Sequence, residues 1–234
     1  MITYYNIARL IVRIYHILFW QNCKVAGRLN LPYGGKIIAG NHPNATDGLF
    51  LPFVFREKLH FFIQGDIFDL PVIGCLLTKS DQIPVIPDRK QLALIQAVRL
   101  VSQGETVVIF PEARLNPDHL KIKAGTGAIR LSLITHAPII PIGFYVPSRY
   151  LRHISRQKNG RLSQGNWQFR GHCYLHIGDP WSPADEMDGP FNPVLLHQLT
   201  ARLMEKIDTE ATRACQDCSK VLGDSERGSS VYGY

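Results

Sequence analysis

The segment Lys36-Ile37-Ile38-Ala39-Gly40-Asn41-His42-Pro43-Asn44-Ala45-Thr46-Asp47 governs the interpretation of the whole chain. Its first five residues form a short apolar run entered from the turn residues Pro32, Tyr33, Gly34 and Gly35, which predicts a buried strand. The remainder is rich in turn formers, so the strand delivers a histidine and an aspartate, five positions apart, to its C-terminal end. On a regular helix those two side chains would diverge by about 140°. They meet only if the chain turns at His42 before a helix begins, and Pro43, suited to a first helical position, permits that. Asp47 then accepts a hydrogen bond from one ring nitrogen and fixes the tautomer, which leaves the other nitrogen to take a proton from a hydroxyl. An isolated H-x4-D is more often a histidine capping a turn, so the pattern gains meaning from the rest of the chain.

On either side of this segment, further strands are expected at 59–64, 82–87, 106–110, 139–146 and 168–177. Helices are expected at 90–103, closed by Gly104, at 123–136, and from Asn192 and Pro193 to about Ala214. This alternation predicts an α/β fold, a single-domain αβα sandwich around a central mixed sheet. Residues 148–166 lack periodicity and read as a loop or lid. Small and polar residues over 223–234 suggest a flexible tail. With no repeat and no linker, residues 25–222 form one domain behind an N-terminal segment, 1–24.

That N-terminal segment is an amphipathic helix. Ile7, Leu10, Ile11, Ile14, Tyr15, Leu18 and Phe19 fall on one broad face, and Asn6, Arg9, Arg13 and His16 fall opposite. Flanking Tyr4, Tyr5 and Trp20 fit a helix lying in a lipid headgroup region, while packing on its own domain explains the pattern equally well. Arg9 and Arg13 interrupt the apolar run before it reaches the roughly 20 residues of a membrane span. No small-residue cleavage site follows it, so it does not read as a secretory signal.

Lys and Arg total 26 against 19 Asp and Glu, a net charge of +7 that favours anionic partners. The basic residues are scattered and match no zinc-finger or RNA-recognition signature, which argues against nucleic acid. Five cysteines spread through the chain do not make a disulfide framework. Cys215-x-x-Cys218 has no second pair, so no metal site is expected.

Three further segments give the first one its context. Pro71-x-x-Gly74 runs on to Ile83, Val85 and Arg89, Val108-Ile109-Phe110-Pro111-Glu112 follows, and Lys123-Ala124-Gly125 precedes Ala137-Pro138-Ile139-Ile140-Pro141-Ile142. With Asn41-His42 through Asp47, these resemble, in order and spacing, the blocks of the glycerol-phosphate and lysophosphatidate acyltransferase family. The resemblance implies an acyl thioester donor, acyl-CoA or acyl carrier protein, as co-substrate, with no other cofactor. It implies a glycerolipid hydroxyl acceptor, a lysophosphatidate in the first instance, and direct transfer with His42 as base and Asp47 orienting it. Asn41, Arg89, Glu112, Arg114 and Lys123 become substrate-binding candidates, the arginines for phosphate because a guanidinium offers two parallel donors. Glu112 should repel phosphate, so anchoring an arginine or its own loop suits it better. The implied location is the cytoplasmic face of a membrane, with peripheral attachment.

The sequence also departs from the pattern. Ala113 replaces the usual glycine after Glu112, Arg114-Leu115 replaces a Thr-Arg pair, Gln64 stands where lysine is frequent, and Ser80-Asp81 where glycine is common. If that glycine serves a positive φ, Ala113 strains the loop. A thioesterase, a different lysophospholipid or non-phosphorylated acceptor, and a noncatalytic lipid-binding protein are the competing readings.

Overall fold

A computed structural model describes residues 3–117, 122–158, 161–187 and 192–229. Strands β1 (Gln21–Gly27), β2 (Lys36–Gly40), β3 (Leu59–Gln64), β4 (Ile83–Val85), β5 (Thr106–Ile109), β6 (Ile139–Tyr145) and β9 (Gly171–Ile177) make a seven-stranded sheet in the order β1-β9-β6-β2-β5-β3-β4. All neighbours are parallel except β6 and β9, so the sheet is mixed, as expected from the sequence. The helices α1 (Tyr4–Leu18), α2 (Asp47–Val54), α3 (Pro71–Lys79), α4 (Lys90–Ser102), α5 (Gly127–Thr135) and α6 (Pro193–Ser229) surround it.

The period-2 alternation of the central strands builds both layers. Ile37 and Ala39 of β2, with Val107 and Ile109 of β5, point to one face and pack with Ala97 of α4, Ile129 of α5 and Leu203 of α6. Ile38, Val108, Ile140 and Ile142 point to the other and pack with Phe50 and Leu51 of α2. A strand buried on both faces reads as a continuous apolar run, which is why 36–40 and 106–110 were recognisable.

Helices α2 and α3 were not expected and α5 starts at Gly127 rather than 123, and three larger differences follow. The N-terminal helix stops at Leu18, Trp20 takes φ +50°, and residues 21–27 form edge strand β1, so the boundary placed at 24 falls inside the sheet. The stretch 148–166 is mostly not a loop. It contains β7 (Leu151–Lys158) and β8 (Arg161–Gln168), an antiparallel hairpin standing apart from the main sheet. Polar residues on both faces hide a strand from a periodicity test, and here inter-strand hydrogen bonds alone define it. Helix α6 begins where expected, Asn192 Oδ1 capping the Leu195 N–H at 2.8 Å, but runs through Ser229 rather than ending near Ala214. A helix nucleated by packing extends at little cost per residue, which overrides the composition of 223–229. Residues 230–234 lie outside the described residues.

Part of the polar strip of α1 turns toward the domain, while Asn6 and Arg13 stay exposed. His16 is buried and stacks on Phe50 at 4.5 Å, and the Arg9 guanidinium lies 5.4 Å from the Phe53 ring centre. Burial lowers the His16 pKa to about 4, so the ring sits there neutral. Leu10, Ile11, Ile14, Ile17 and Leu18 of the apolar face are exposed instead. No helix among the described residues is long and apolar enough to cross a membrane.

Candidate active site

Strands β2, β5, β3 and β4 run parallel, so the segments leaving their C-terminal ends share one edge of the sheet, where open α/β folds place their ligands. His42 follows β2, the Glu112 loop follows β5, and Arg89 follows β4. The sequence blocks are thus successive crossings of a single edge.

At the end of β2 the chain turns as His42 and Asp47 require. Asp47 N–H donates to Asn44 C=O at 3.3 Å, and α2 starts at Asp47. The fully buried Asp47 carboxylate accepts the Asn44 N–H at 2.7 Å and the Asn44 side-chain amide at 3.1 Å. Its Oδ2 lies 3.4 Å from His42 Nδ1, the long end of hydrogen-bond range. With Nδ1 carrying the proton, the ring donates to Asp47 and its Nε2 is the open nitrogen. The ring stacks on Phe110 with centres 4.2 Å apart and planes 12° from parallel. A flat apolar floor and a carboxylate at one edge leave the imidazole little rotational freedom.

The backbone of His42 is held as firmly by the loop after β5. Asn116 N–H donates to His42 C=O at 2.9 Å, and the Glu112 carboxylate accepts the His42 N–H and the Asn116 side chain. Glu112 is buried, which raises its pKa despite those donors. It therefore grips the histidine loop. Asn41 is engaged structurally as well. Its amide donates to Phe144 C=O at 3.1 Å and accepts the Phe144 N–H at 2.7 Å, clipping the end of β2 to β6 with both ends engaged.

The three cationic candidates are exposed. Arg114 lies in the Glu112 loop, one strand position from His42. Lys123 lies two residues before Gly125, whose N–H donates to Pro111 C=O at 2.7 Å. Arg89 is on the same edge but three strand positions away, about 14 Å at usual strand spacing. The structure thus gathers His42, Asp47 and Glu112 tightly, with Arg114 and Lys123 on the bordering segments and Arg89 at the far side.

Sequence reasoning missed Asn44, Phe110 and Asn116. Asn44 and Asn116 stood among other turn residues, and Phe110 read as the last residue of a strand. It also missed Asn166 of β8, whose carbonyl accepts the Ala45 N–H at 2.9 Å and so ties the hairpin to the histidine loop. Cys215 and Cys218 lie on one turn of α6, with Cys218 buried against Tyr174. No group of three or more His, Cys, Asp or Glu is placed to hold a metal among the described residues.

Ala113 adopts φ +55°, the left-handed conformation in which a Cβ is disfavoured. Ala113→Gly is expected to stabilise the fold by about 0.5–1 kcal/mol. In thermal unfolding this appears as a Tm increase of about 1–4 °C for a chain of this size. An unchanged or lower Tm would mean that the loop carries no strain there.

A model of the acyltransferase family matches residues 22–145 and ends before the hairpin. A 1-acyl-sn-glycerol-3-phosphate acyltransferase of Bacillus subtilis is 27% identical over 166 residues, 69% of this chain and 75% of that protein. A protein of the same name from Borreliella burgdorferi is 26% identical over 127 residues, 52% of this chain and 50% of its own length. The crystal structure of the 1-acyl-sn-glycerophosphate acyltransferase from Thermotoga maritima superposes with a TM-score of 0.62, covering 88% of this chain and 78% of that one. At 20% identity, that last likeness speaks for the fold.

Proposed function

The chain belongs to the acyltransferase family, and from that membership we propose that it transfers a fatty acyl group from an acyl thioester to the free hydroxyl of lysophosphatidate. The observation that carries the reading is the His42 ring. It is braced on Phe110, faces Asp47 through Nδ1, is held through its backbone by Glu112 and Asn116, and keeps its side chain 21% exposed at the sheet edge. Nε2 takes the proton as the acceptor oxygen attacks the thioester carbonyl. Collapse of the tetrahedral intermediate expels the thiolate, and the imidazolium returns the proton to it. Asp47 stabilises that imidazolium and holds the tautomer. No protein nucleophile takes part. The names of the Bacillus and Borreliella relatives support a phosphate-bearing acceptor. For its headgroup, Arg114 and Lys123 lie nearer His42, while Arg89 reaches in from the far end of the same edge.

The exposed apolar face of α1 supports work at a lipid surface. A helix that turns Arg9 and His16 toward its own domain and five large aliphatic side chains outward has its low-energy environment at an apolar boundary. On α3, which packs beside α1, Leu70, Val72 and Ile73 are also exposed and extend the face. The proposed attachment is therefore peripheral, on the cytoplasmic leaflet.

The test incubates the protein with lysophosphatidate vesicles and a labelled long-chain acyl thioester, as coenzyme A and as carrier-protein thioester, and follows phosphatidate and free fatty acid. Phosphatidate with either donor is the expected product. Free acid alone would replace transfer with hydrolysis, and turnover only with other lysophospholipids would replace the acceptor.

A further inference from the structure

Between 148 and 170 the chain carries Arg149, Arg152, Arg156, Lys158, Arg161 and Arg170 and neither Asp nor Glu, so the hairpin region holds most of the protein's net charge of +7. Nothing in the catalytic arrangement uses these cations. Arg149, Arg152 and Arg170 are exposed, as are the apolar Ile154 and Phe169 beside them.

The hairpin is also fastened at two places. On one side Trp167 Nε1 donates to the Tyr15 hydroxyl of α1 at 2.7 Å, and Phe169 meets Phe19 edge-on at 6.0 Å. Tyr15 stands one turn from Ile11 and Leu18 on the helix surface, so the hairpin borders the outward apolar face of α1. On the other side Asn166 C=O accepts the Ala45 N–H, and Gly165 lets Leu115 of the Glu112 loop come so close that a Cβ there would lie 2.3 Å from it. The hairpin is thus a strut between the lipid-facing helix and both loops that hold His42.

We propose that the base of the β7–β8 hairpin, with Arg149, Arg152 and Arg170, is an electrostatic docking arm for anionic bilayers, fixing the height of the His42 loops above the lipid surface. Exposed cations interspersed with apolar side chains, continuous with an apolar helix face, complement a negatively charged headgroup layer. An acidic protein would use the same charges but gives no reason for that continuity. The inference rests on the membrane reading of α1 and is independent of the acceptor's identity.

The test is sedimentation of the full chain with vesicles of phosphatidylcholine, alone or containing phosphatidylglycerol. It compares the wild type with a variant combining Arg149→Gln, Arg152→Gln and Arg170→Gln. Each cation near an anionic surface is worth roughly a fivefold change in partition, so the variant should lose about a hundredfold on anionic vesicles. Its weak partition to neutral vesicles should be unchanged, and raised salt should erase the difference. A companion variant with Arg149→Lys, Arg152→Lys and Arg170→Lys should bind like the wild type. Equal binding by the glutamine variant, or equal loss on both vesicle types, would overturn the proposal. So would intact vesicle binding with lost affinity for an acidic acyl carrier protein, which would assign the arm to that partner. No substrate enters the measurement, so failure to acylate lysophosphatidate would count against the proposed reaction and leave this result standing.

Discussion

His42→Ala is expected to lower kcat for acyl transfer by about 10²–10⁴-fold, the usual contribution of a positioned general base. The thermal stability of the variant should change little. The ring is 21% exposed and its one polar contact is the 3.4 Å approach to Asp47, so its removal leaves a stacking gap over Phe110 but strands only one acceptor site on a carboxylate that keeps two Asn44 donors. KM for the acceptor should move less than kcat, because an interaction formed as the hydroxyl loses its proton belongs to the transition state. Steady-state kinetics beside a thermal melt separate the alternatives. A folded His42→Ala protein with undiminished transfer would remove His42 from the chemistry.

Asp47→Asn is expected to cost as much activity and, in addition, stability. The buried carboxylate accepts from three donors, the Asn44 backbone, the Asn44 side chain and the His42 ring. An amide has one oxygen, so its NH2 group must face at least one of those donors, leaving a buried hydrogen bond unmade at about 1–3 kcal/mol. Against His42 the same group favours the opposite tautomer, which takes the proton-accepting electron pair away from the substrate side. In the Ser-His-Asp triad of serine proteases, the matching change costs about 10⁴ in kcat. Here a loss of about 10²–10⁴ with a Tm lowered by several degrees is expected, measured on one preparation by kinetics and thermal unfolding. A large loss of activity without a Tm change would mean that the turn does not depend on Asp47 for its closure.

The two variants differ because His42 and Asp47 sit at different depths, which no spacing reveals. Their pairing was readable as a condition, a turn at His42 before a helix begins, and the turn between Asn44 and Asp47 satisfies it, although the helix starts at Asp47 and not at Pro43. The role of Glu112 was readable only by exclusion, because repulsion of phosphate says what a carboxylate does not do. The His42 N–H and the Asn116 side chain supply what it does. The clip that Asn41 makes to β6 was not readable, because adjacency to His42 in sequence says nothing of where its amide points.

The α/β order, the buried central strands and the pairing of a histidine with an aspartate at a strand end were all legible in the order of amino acids. They follow from local physics, namely apolar periodicity, turn chemistry and the fixed φ of proline. The conformational demand at Ala113 was raised as a condition by the family resemblance, whose pattern has glycine there, and φ +55° meets that condition. Which way α1 turns was settled only by packing, because an amphipathic pattern has two faces, and Phe50 and Phe53 take up His16 and Arg9 while the large aliphatic side chains stay outside. The pairing of residues 151–158 with 161–168 also waited on the folded chain, because a ladder of backbone hydrogen bonds leaves no mark on side-chain composition. So did the meeting of Asn166 with Ala45, over a hundred residues apart, because contacts that close a long loop are selected by packing and not by propensity.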